Sequence, residues 1–148
     1  MATTKRQSIM NAVKTRLQSI TVANGYDFNL GSNIYEWRTT ALNDNELPGI
    51  VFRDTQNIKI EGGPVAYFRW GLNVEVEIIT QGGTSITDIR KMLGDVYKAI
   101  KTDDTWGGLA ITTEQPNSDE IQSEQQERKI TGAAIRLQII YDAPLWEA

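Results

Sequence analysis

Histidine and cysteine are both missing from the 148 residues of this chain. Without cysteine, the chain can form no disulfide, no thiolate metal site and no cysteine nucleophile. Without histidine, it lacks the commonest general base, the commonest metal ligand and the usual partner of a serine nucleophile. Most classes of enzyme chemistry are therefore closed to it. The composition favours a binding or assembly protein, and we expect no enzymatic activity, no catalytic residue and no cofactor.

Long apolar runs and an excess of basic residues are also missing. No apolar stretch approaches the ~20 residues that span a bilayer. The first residues, MATTKRQSIMNAVKTRL, lack the apolar core and cleavage site of a signal peptide. We therefore expect a protein of a cytosol-like compartment with no membrane partner. The formal net charge of -4 argues against nucleic acid as the main partner, because neutralised phosphates dominate that affinity.

The most informative stretch of the chain is VAYFRWGLNVEVEIITQ, residues 65–81. From Phe68 to Ile78 apolar and polar residues alternate, which is typical of a half-buried antiparallel strand. At ~3.3 Å per residue this stretch would reach ~55 Å if it were straight. A compact domain of this length is only ~40 Å across. The strand must bend or project beyond the body, and a projecting ribbon usually needs a partner.

The remaining elements follow from apolar periodicity and turn residues. A three- and four-residue spacing predicts two amphipathic helices, and shorter apolar runs predict strands on both sides of the second helix. The polar segment QPNSDEIQSEQQE is predicted to be a mobile loop or hairpin tip. The predicted helices are 5–20 and 85–101, the predicted strands are 34–38, 49–54 with a continuation at 57–61, 68–78, 109–114 and 128–142, and the predicted loop is 115–127.

This order of elements indicates an α+β fold in a single domain, residues 1–148. We expect a mainly antiparallel mixed sheet, two helices packed on one face and long protruding strands, with the strand at 128–142 able to pair with the strand at 68–78. The opposite face would meet solvent or a partner, and it would present Arg69, Glu75, Glu77 and Arg136.

Motifs that could support chemistry are weak. The loop Gly82-Gly83-Thr84-Ser85 precedes a helix, but it lacks the spacing and the lysine of a phosphate-binding loop. The acidic pairs at 103–104 and 119–120 are most simply solvated loop residues, and Mg²⁺ or Ca²⁺ ligation by them stays open. Scattered basic pairs, including Arg128-Lys129, are not interleaved with aromatic residues as in a single-strand nucleic-acid platform.

Tryptophans next to chain irregularities are a different kind of signal. Trp106 precedes two glycines and Trp146 follows a proline. Aromatic residues placed in this way often anchor partner surfaces, although both could equally fold back over an end of the sheet. The complete set of candidate subunit or partner contacts is Arg69, Glu75, Glu77, Trp106, Arg128, Lys129, Arg136 and Trp146.

Taken together, these patterns resemble the tail-terminator family of long-tailed bacteriophages, also described as minor tail protein U-like or tail-completion proteins. The resemblance covers nearly the whole chain. It rests on the amphipathic first helix with Ile9, Val13 and Leu17, followed by LPGIVFRD, the alternating strand FRWGLNVEVEIIT, the helix TDIRKMLGDVYKAI and the closing strand RKITGAAIRLQIIYDAP.

The resemblance implies an α+β subunit of a hexameric ring that caps the finished tail tube, ends its polymerisation and offers a surface for head-tail joining. The implied partners are further copies of the chain, the tail tube protein and the head-tail connector, with DNA only as cargo through the ring. The implied location is the virion tail, with assembly in the host cytoplasm. Two alternatives stay open: another neck, connector or contractile-injection-system component, and a small bacterial binding module.

Overall fold

The computed structural model describes residues 3–124 and 129–147. In this part of the chain two α-helices accompany a five-stranded sheet with the strand order β1-β2-β3-β5-β4. Strands β1 and β2 pair in parallel, and the other neighbours are antiparallel, so the predicted α+β fold with a mainly antiparallel mixed sheet is confirmed. The elements are α1 Lys5–Gln18, β1 Ile34–Glu36, β2 Gly49–Ile60, β3 Tyr67–Ile79, α2 Ile86–Lys101, β4 Thr112–Glu124 and β5 Lys129–Pro144.

Both helices cover the same face of the sheet. On β3 the buried side chains alternate from Leu72 to Ile78, as the two-residue period predicts, and they join one core with the apolar stripes of α1 and α2. Phe68 and Trp70 continue the same face but are only half-buried. The helices therefore end their cover before β3 reaches its first residues.

The two long strands pair with each other along almost their whole length. The register of β3 and β5 runs from Tyr67 opposite Pro144 to Ile79 opposite Gly132. A Cβ atom on Gly132 would lie 1.8 Å from the carbonyl oxygen of Ile78, and its φ of +153° is rarely adopted by other residues. Glycine at this position therefore permits the close approach of the two backbones.

Helix boundaries follow from side-chain caps. The Thr4 hydroxyl accepts a hydrogen bond from the Gln7 backbone N–H at 3.1 Å, and the Ser85 hydroxyl accepts one from the Asp88 N–H at 3.2 Å. These bonds satisfy N–H groups that have no partner within a helix. Helix α1 ends at Gln18 rather than at the predicted residue 20.

The predicted loop at 115–127 is wrong for residues 115–124. These residues belong to β4, which is paired with β5 and forms an edge of the sheet. Residues 125–127 lie outside the described ranges. An edge strand can be polar on both faces, so its sequence lacks the apolar alternation that identifies a half-buried strand. The register shifts between Glu114 and Ser118, where Pro116 has no N–H to donate.

Strands β2 and β3 lose their cover at one end of the sheet, whereas β5 stays buried as far as Ala143. Strand β2 is one strand with a bulge between Asp54 and Gln56, so 57–60 continues 49–54, one of the two interpretations of the sequence, the other being a second short strand. Its residues after the bulge are mostly exposed. We call the far part of this assembly the ribbon end. It comprises residues 57–60 of β2, the turn 61–66, residues 67–70 of β3 and the C-terminal tail 145–147.

A buried carboxylate joins α2 to the loop after α1. Asp95 is 4% exposed, and its two oxygens accept hydrogen bonds from the backbone N–H groups of Asp27 at 3.1 Å and Phe28 at 3.0 Å. A buried acid is tolerated when its lone pairs are satisfied in this way. The contact holds the loop against the helical layer.

Replacement of Asp95 tests this contact. Asp95→Ala should lower the free energy of unfolding by about 2 kcal/mol, because two N–H groups lose their acceptor inside the protein. Asp95→Asn keeps one carbonyl oxygen and should lose less. Urea unfolding followed by circular dichroism measures both, and equal stabilities of the alanine variant and the parent protein would contradict the proposed role.

Candidate functional site

The face of the sheet opposite the helices, here called the outer face, displays four of the predicted contact residues. Arg69, Glu75 and Glu77 alternate with the buried residues of β3, and Arg136 lies opposite Glu75 on β5. Arg53 of β2 lies opposite Glu75 on the other side. The register therefore places charges of opposite sign next to each other across three strands.

These charges form one ladder of ion pairs. Arg53 Nη2 lies 2.6 Å from Glu75 Oε1 and 3.4 Å from Glu77 Oε2. Arg136 Nε lies 3.3 Å from Glu75 Oε2, and Arg136 Nη2 lies 3.3 Å from Glu120 Oε1 on the edge strand. Glu75 is therefore the centre of a ladder that crosses β2, β3, β5 and β4. Its three glutamates and two arginines leave one net negative charge.

Two apolar residues of the outer face are buried beside the ladder. Ala134 and Val51 both lie opposite Glu77, and both are almost fully buried although no helix covers this face. Residues 38–41, in the loop after β1, lie beside Val51, so this loop and the methylene groups of the ladder residues share the cover of this part of the face.

Arg69 also finds its partner within the chain. Its Nε and Nη2 atoms donate to the two oxygens of Asp142 at 2.9 and 3.1 Å, a bidentate arrangement that raises the pKa of Arg69. Of the predicted basic pair, Arg128 lies outside the described residues and Lys129 is the first residue of β5. That these residues contact a partner stays a prediction.

Trp106 is not an exposed anchor, which corrects its place among the candidate contacts. It is 2% exposed and belongs to the core, so it folds back over the sheet, the second of the two interpretations of the sequence. Its Nε1–H donates to Thr113 Oγ1 at 2.7 Å, and the guanidinium of Arg16 lies 4.7 Å from its ring centroid. Burial of a large ring with a satisfied polar atom stabilises the fold.

A carboxylate turn holds Trp106 in this position. Asp103 accepts hydrogen bonds from the Thr105 hydroxyl at 2.6 Å, the Thr105 N–H at 2.9 Å and the Gly107 N–H at 2.8 Å. These bonds, the hydroxyl first, lower the pKa of Asp103 to about 2. Trp106 itself has a φ of +54°, a left-handed conformation that is uncommon for residues with a side chain.

The ribbon end carries an exposed apolar patch. Trp146 is 91% exposed, Val65 is 96% exposed, and Tyr67 and Leu145 are each about half exposed. The ring of Trp146 packs edge-to-face on Phe68 with centroids 5.7 Å apart. Exposed apolar residues that occur together, rather than singly, mark interaction surfaces. Trp146 is the predicted contact residue that the structure leaves most accessible.

The backbone fixes Trp146 in its exposed position. Its φ is +63°, and that of Ala66, which lies across from Leu145, is +70°. The Leu145 N–H donates to the Ala66 carbonyl at 3.3 Å, and the Glu147 N–H donates to the Pro144 carbonyl at 3.0 Å. Left-handed backbone at residues other than glycine costs free energy and is a pointer to function. The tail is therefore a turn attached to the ribbon rather than a free end.

A groove of about 270 Å³ lies between the C-terminal half of α2 and strand β4. We call it the lateral groove. Its apolar lining residues are Ile100, Ile135 and Leu137, of which Ile135 and Leu137 are almost fully buried in the core. The Tyr97 hydroxyl beside the groove donates to the Asp119 carboxylate. Burial, followed by this bond, raises the pKa of Tyr97. The polar lining residues are Lys101, Asp104, Thr113 and Glu114.

Sequence reasoning missed the lateral groove, because one of its walls is the strand that the sequence suggested to be a loop. The stripe of α2 was visible as far as Ile100, but nothing in the sequence showed that a polar strand would lie beside it. In residues 3–124 and 129–147 no cluster of three acidic side chains lies close enough together to hold a metal ion. The same residues include no helix long and apolar enough to cross a membrane.

Neutralising the ladder at its centre and at its edge tests its internal role. Glu75→Gln should lower the free energy of unfolding by about 1 kcal/mol, and Glu120→Gln by less, because Glu120 is half exposed at the edge and contacts one arginine. Both losses should shrink in 1 M salt, which screens charges beyond ~3 Å. Urea unfolding at low and high salt measures this, and equal, salt-independent losses would contradict it.

Acid should weaken the turn that holds Trp106. The pKa of Asp103 is about 2 in the folded chain, against an ordinary value of 3.8 in the unfolded chain. Its contribution to the stability of the fold is therefore complete above pH 3.8 and is lost as the pH falls towards 2. Asp103→Asn should show a flatter decline of stability over this interval. Urea unfolding at a series of pH values compares the two, and parallel declines would refute the assignment.

Comparison with known proteins assigns the chain to no family, because no protein-family model and no curated protein matches it.

Proposed function

We propose that this chain is a structural subunit that forms a hexameric ring on the tail tube of a long-tailed bacteriophage. The ring would end tube polymerisation and form the tail-side surface for head-tail joining. Its partners would be further copies of itself, the tail tube protein and the head-tail connector. The proposal starts from the sequence resemblance, and the exposed ribbon end is the observation that supports it most.

An isolated subunit leaves the apolar side chains of the ribbon end exposed to water, which costs free energy. The ends of β2 and β3 are exposed or half-buried, and beside them lies a patch that includes Trp146, which is 91% exposed. Each exposed aromatic or aliphatic side chain forgoes about 1.5–3 kcal/mol that burial would provide. A patch held in place by left-handed backbone and by hydrogen bonds is suited to contact with another protein.

The outer face suits a ring through which DNA passes as cargo. Its arginines are bound to glutamates of the same chain, and the ladder has one net negative charge. Protein–DNA affinity comes largely from cationic side chains that neutralise phosphates. An outer face without free cations in the ladder would therefore let DNA slide past rather than hold it.

A ring needs two different surfaces on each subunit. A contact between two unlike patches repeats from copy to copy. It forms a closed ring when a whole number of these rotations makes one full turn. The described residues offer two such patches, the ribbon end and the lateral groove. Six chains of 16.6 kDa would give a particle of about 100 kDa.

Mass, shape and tube capping test the proposal together. Light scattering and negative-stain images of concentrated protein should show rings of six copies, and addition of these rings should stop elongation of purified tail tubes. Tubes incubated with an unrelated acidic protein of similar size are the control. A strictly monomeric protein that leaves tube length unchanged would refute the proposal, and rings that bind connectors but not tubes would indicate a neck protein instead.

A further inference from the structure

We infer that Asn24 is a site of spontaneous deamidation that the fold controls, because its side chain can react only after the turn around it opens. This site lies in the loop after α1 and is independent of the proposed ring. The inference depends on the reactivity of an Asn-Gly pair, on the hydrogen bonds that hold this pair, and on the contacts of the loop with α2.

The sequence places a reactive pair at an exposed position. Asn24 is the only asparagine of the chain that is followed by glycine, and both residues are exposed. Deamidation begins when the backbone nitrogen of the next residue attacks Cγ of the asparagine. Glycine has no Cβ to hinder this approach. Asn24-Gly25 therefore has the highest intrinsic reactivity among the asparagines of this chain.

The atoms of the reaction balance with solvent water as the only co-reactant. The Gly25 nitrogen gives up its proton and bonds to Cγ of Asn24, while the Cγ–Nδ2 bond breaks and the amide group takes up a proton to leave as ammonia. The product is a five-membered succinimide ring. Water then opens the ring, which leaves aspartate if the new Cγ–N bond breaks and isoaspartate if the original peptide bond breaks.

In the folded chain both reacting groups are held by hydrogen bonds. The Gly25 N–H donates to the Val22 carbonyl at 3.0 Å, at the end of the 3₁₀ turn Val22–Asn24. The Asn24 side-chain amide donates to the Ser19 carbonyl at 2.9 Å, just beyond α1. The nitrogen can attack only after the first bond breaks, and Cγ can turn towards it only after the second breaks. The closed turn therefore protects Asn24.

Contacts from α2 keep the turn closed. Lys98 Nζ donates to the Gly25 carbonyl at 2.8 Å and lies 5.0 Å from the ring centroid of Tyr26. Asp95 holds the next part of the loop through its two hydrogen bonds to backbone N–H groups. A reaction that proceeds only from an open form tracks the population of that form when opening and closing are fast. Helix α2 therefore sets how fast Asn24 is modified.

The product cannot restore the turn. The Asn24 amide donates to the Ser19 carbonyl, whereas a carboxylate only accepts, so the two oxygens would repel each other. A negative charge next to the C-terminal end of a helix is also unfavourable. Deamidation would therefore release the loop in one direction only.

The rate of deamidation tests the control by the fold. A synthetic peptide of residues 20–29 gives the rate of the open turn, and mass spectrometry follows Asn24 in this peptide and in digests of the full chain. The full chain should react at least about tenfold more slowly than the peptide, because local opening populates only a minor form. Equal rates, or a peptide that does not react, would overturn the inference.

Loss of the contact with α2 should accelerate the reaction in the folded chain. Lys98→Met removes the bond to the Gly25 carbonyl and should bring the rate closer to that of the peptide. Lys91→Met is the matched control, because it removes the same charge ~10 Å away along the axis of α2 and should leave the rate unchanged. Circular dichroism verifies that both variants are folded. Equal rates in the two variants would contradict the role of α2.

A second pair of variants tests the release of the loop. Asn24→Asp imitates the product and should accelerate hydrogen exchange at the N–H groups of Gly25 and Tyr26. Asn29→Asp adds the same charge to the same loop, but its Oδ1 accepts from the Val22 N–H at 2.8 Å, a bond that a carboxylate retains. Exchange in this control should therefore stay slow. Equal exchange in both variants would show that the Asn24 amide does not hold the turn.

Discussion

The pairing of β3 with β5 is the constraint on which the rest of this molecule depends. Its register places Leu72 to Ile78 under the helices, and by the same alternation it places Glu75 beside Arg136 on the outer face. A shift by one residue would exchange the two faces. Gly132 protects this register at one end, because no other residue fits against Ile78. The core, the ion-pair ladder and the ribbon end are therefore consequences of one strand pair.

Much of this arrangement could be predicted from the sequence. The alternation from Phe68 to Ile78 gives the strand one apolar face, and the three- and four-residue spacings give each helix one. Burial of such faces is the dominant driving force of folding. Both long strands, their pairing and the helix-covered face follow from these patterns. The predictable part of the chain is therefore the part in which the local apolar pattern agrees with the burial in the structure.

The errors have a common physical cause. Strand β4 is a strand because β5 supplies its hydrogen-bonding partner, and a partner distant in sequence leaves no local periodicity. Trp106 is buried because Asp103 and Arg16 hold its turn against the core, and neither contact is visible from the glycines that follow it. The lateral groove depends on β4 and was missed for the same reason. The position of Trp146 also depends on distant residues, through the bond from the Leu145 N–H to Ala66 and the packing of its ring on Phe68.

The interrupted edges of the sheet have a consequence for how the number of copies in an assembly would be chosen. Where neighbours join through a continuous sheet, the twist of the strands fixes the angle between them. Here the bulge in β2 and the irregularity of β4 oppose such continuity. In an assembly built through the exposed ribbon end, the angle would come from the direction of the turn at Pro144 relative to the sheet. A few substitutions in that turn could then alter the count of subunits while the fold of each remained the same.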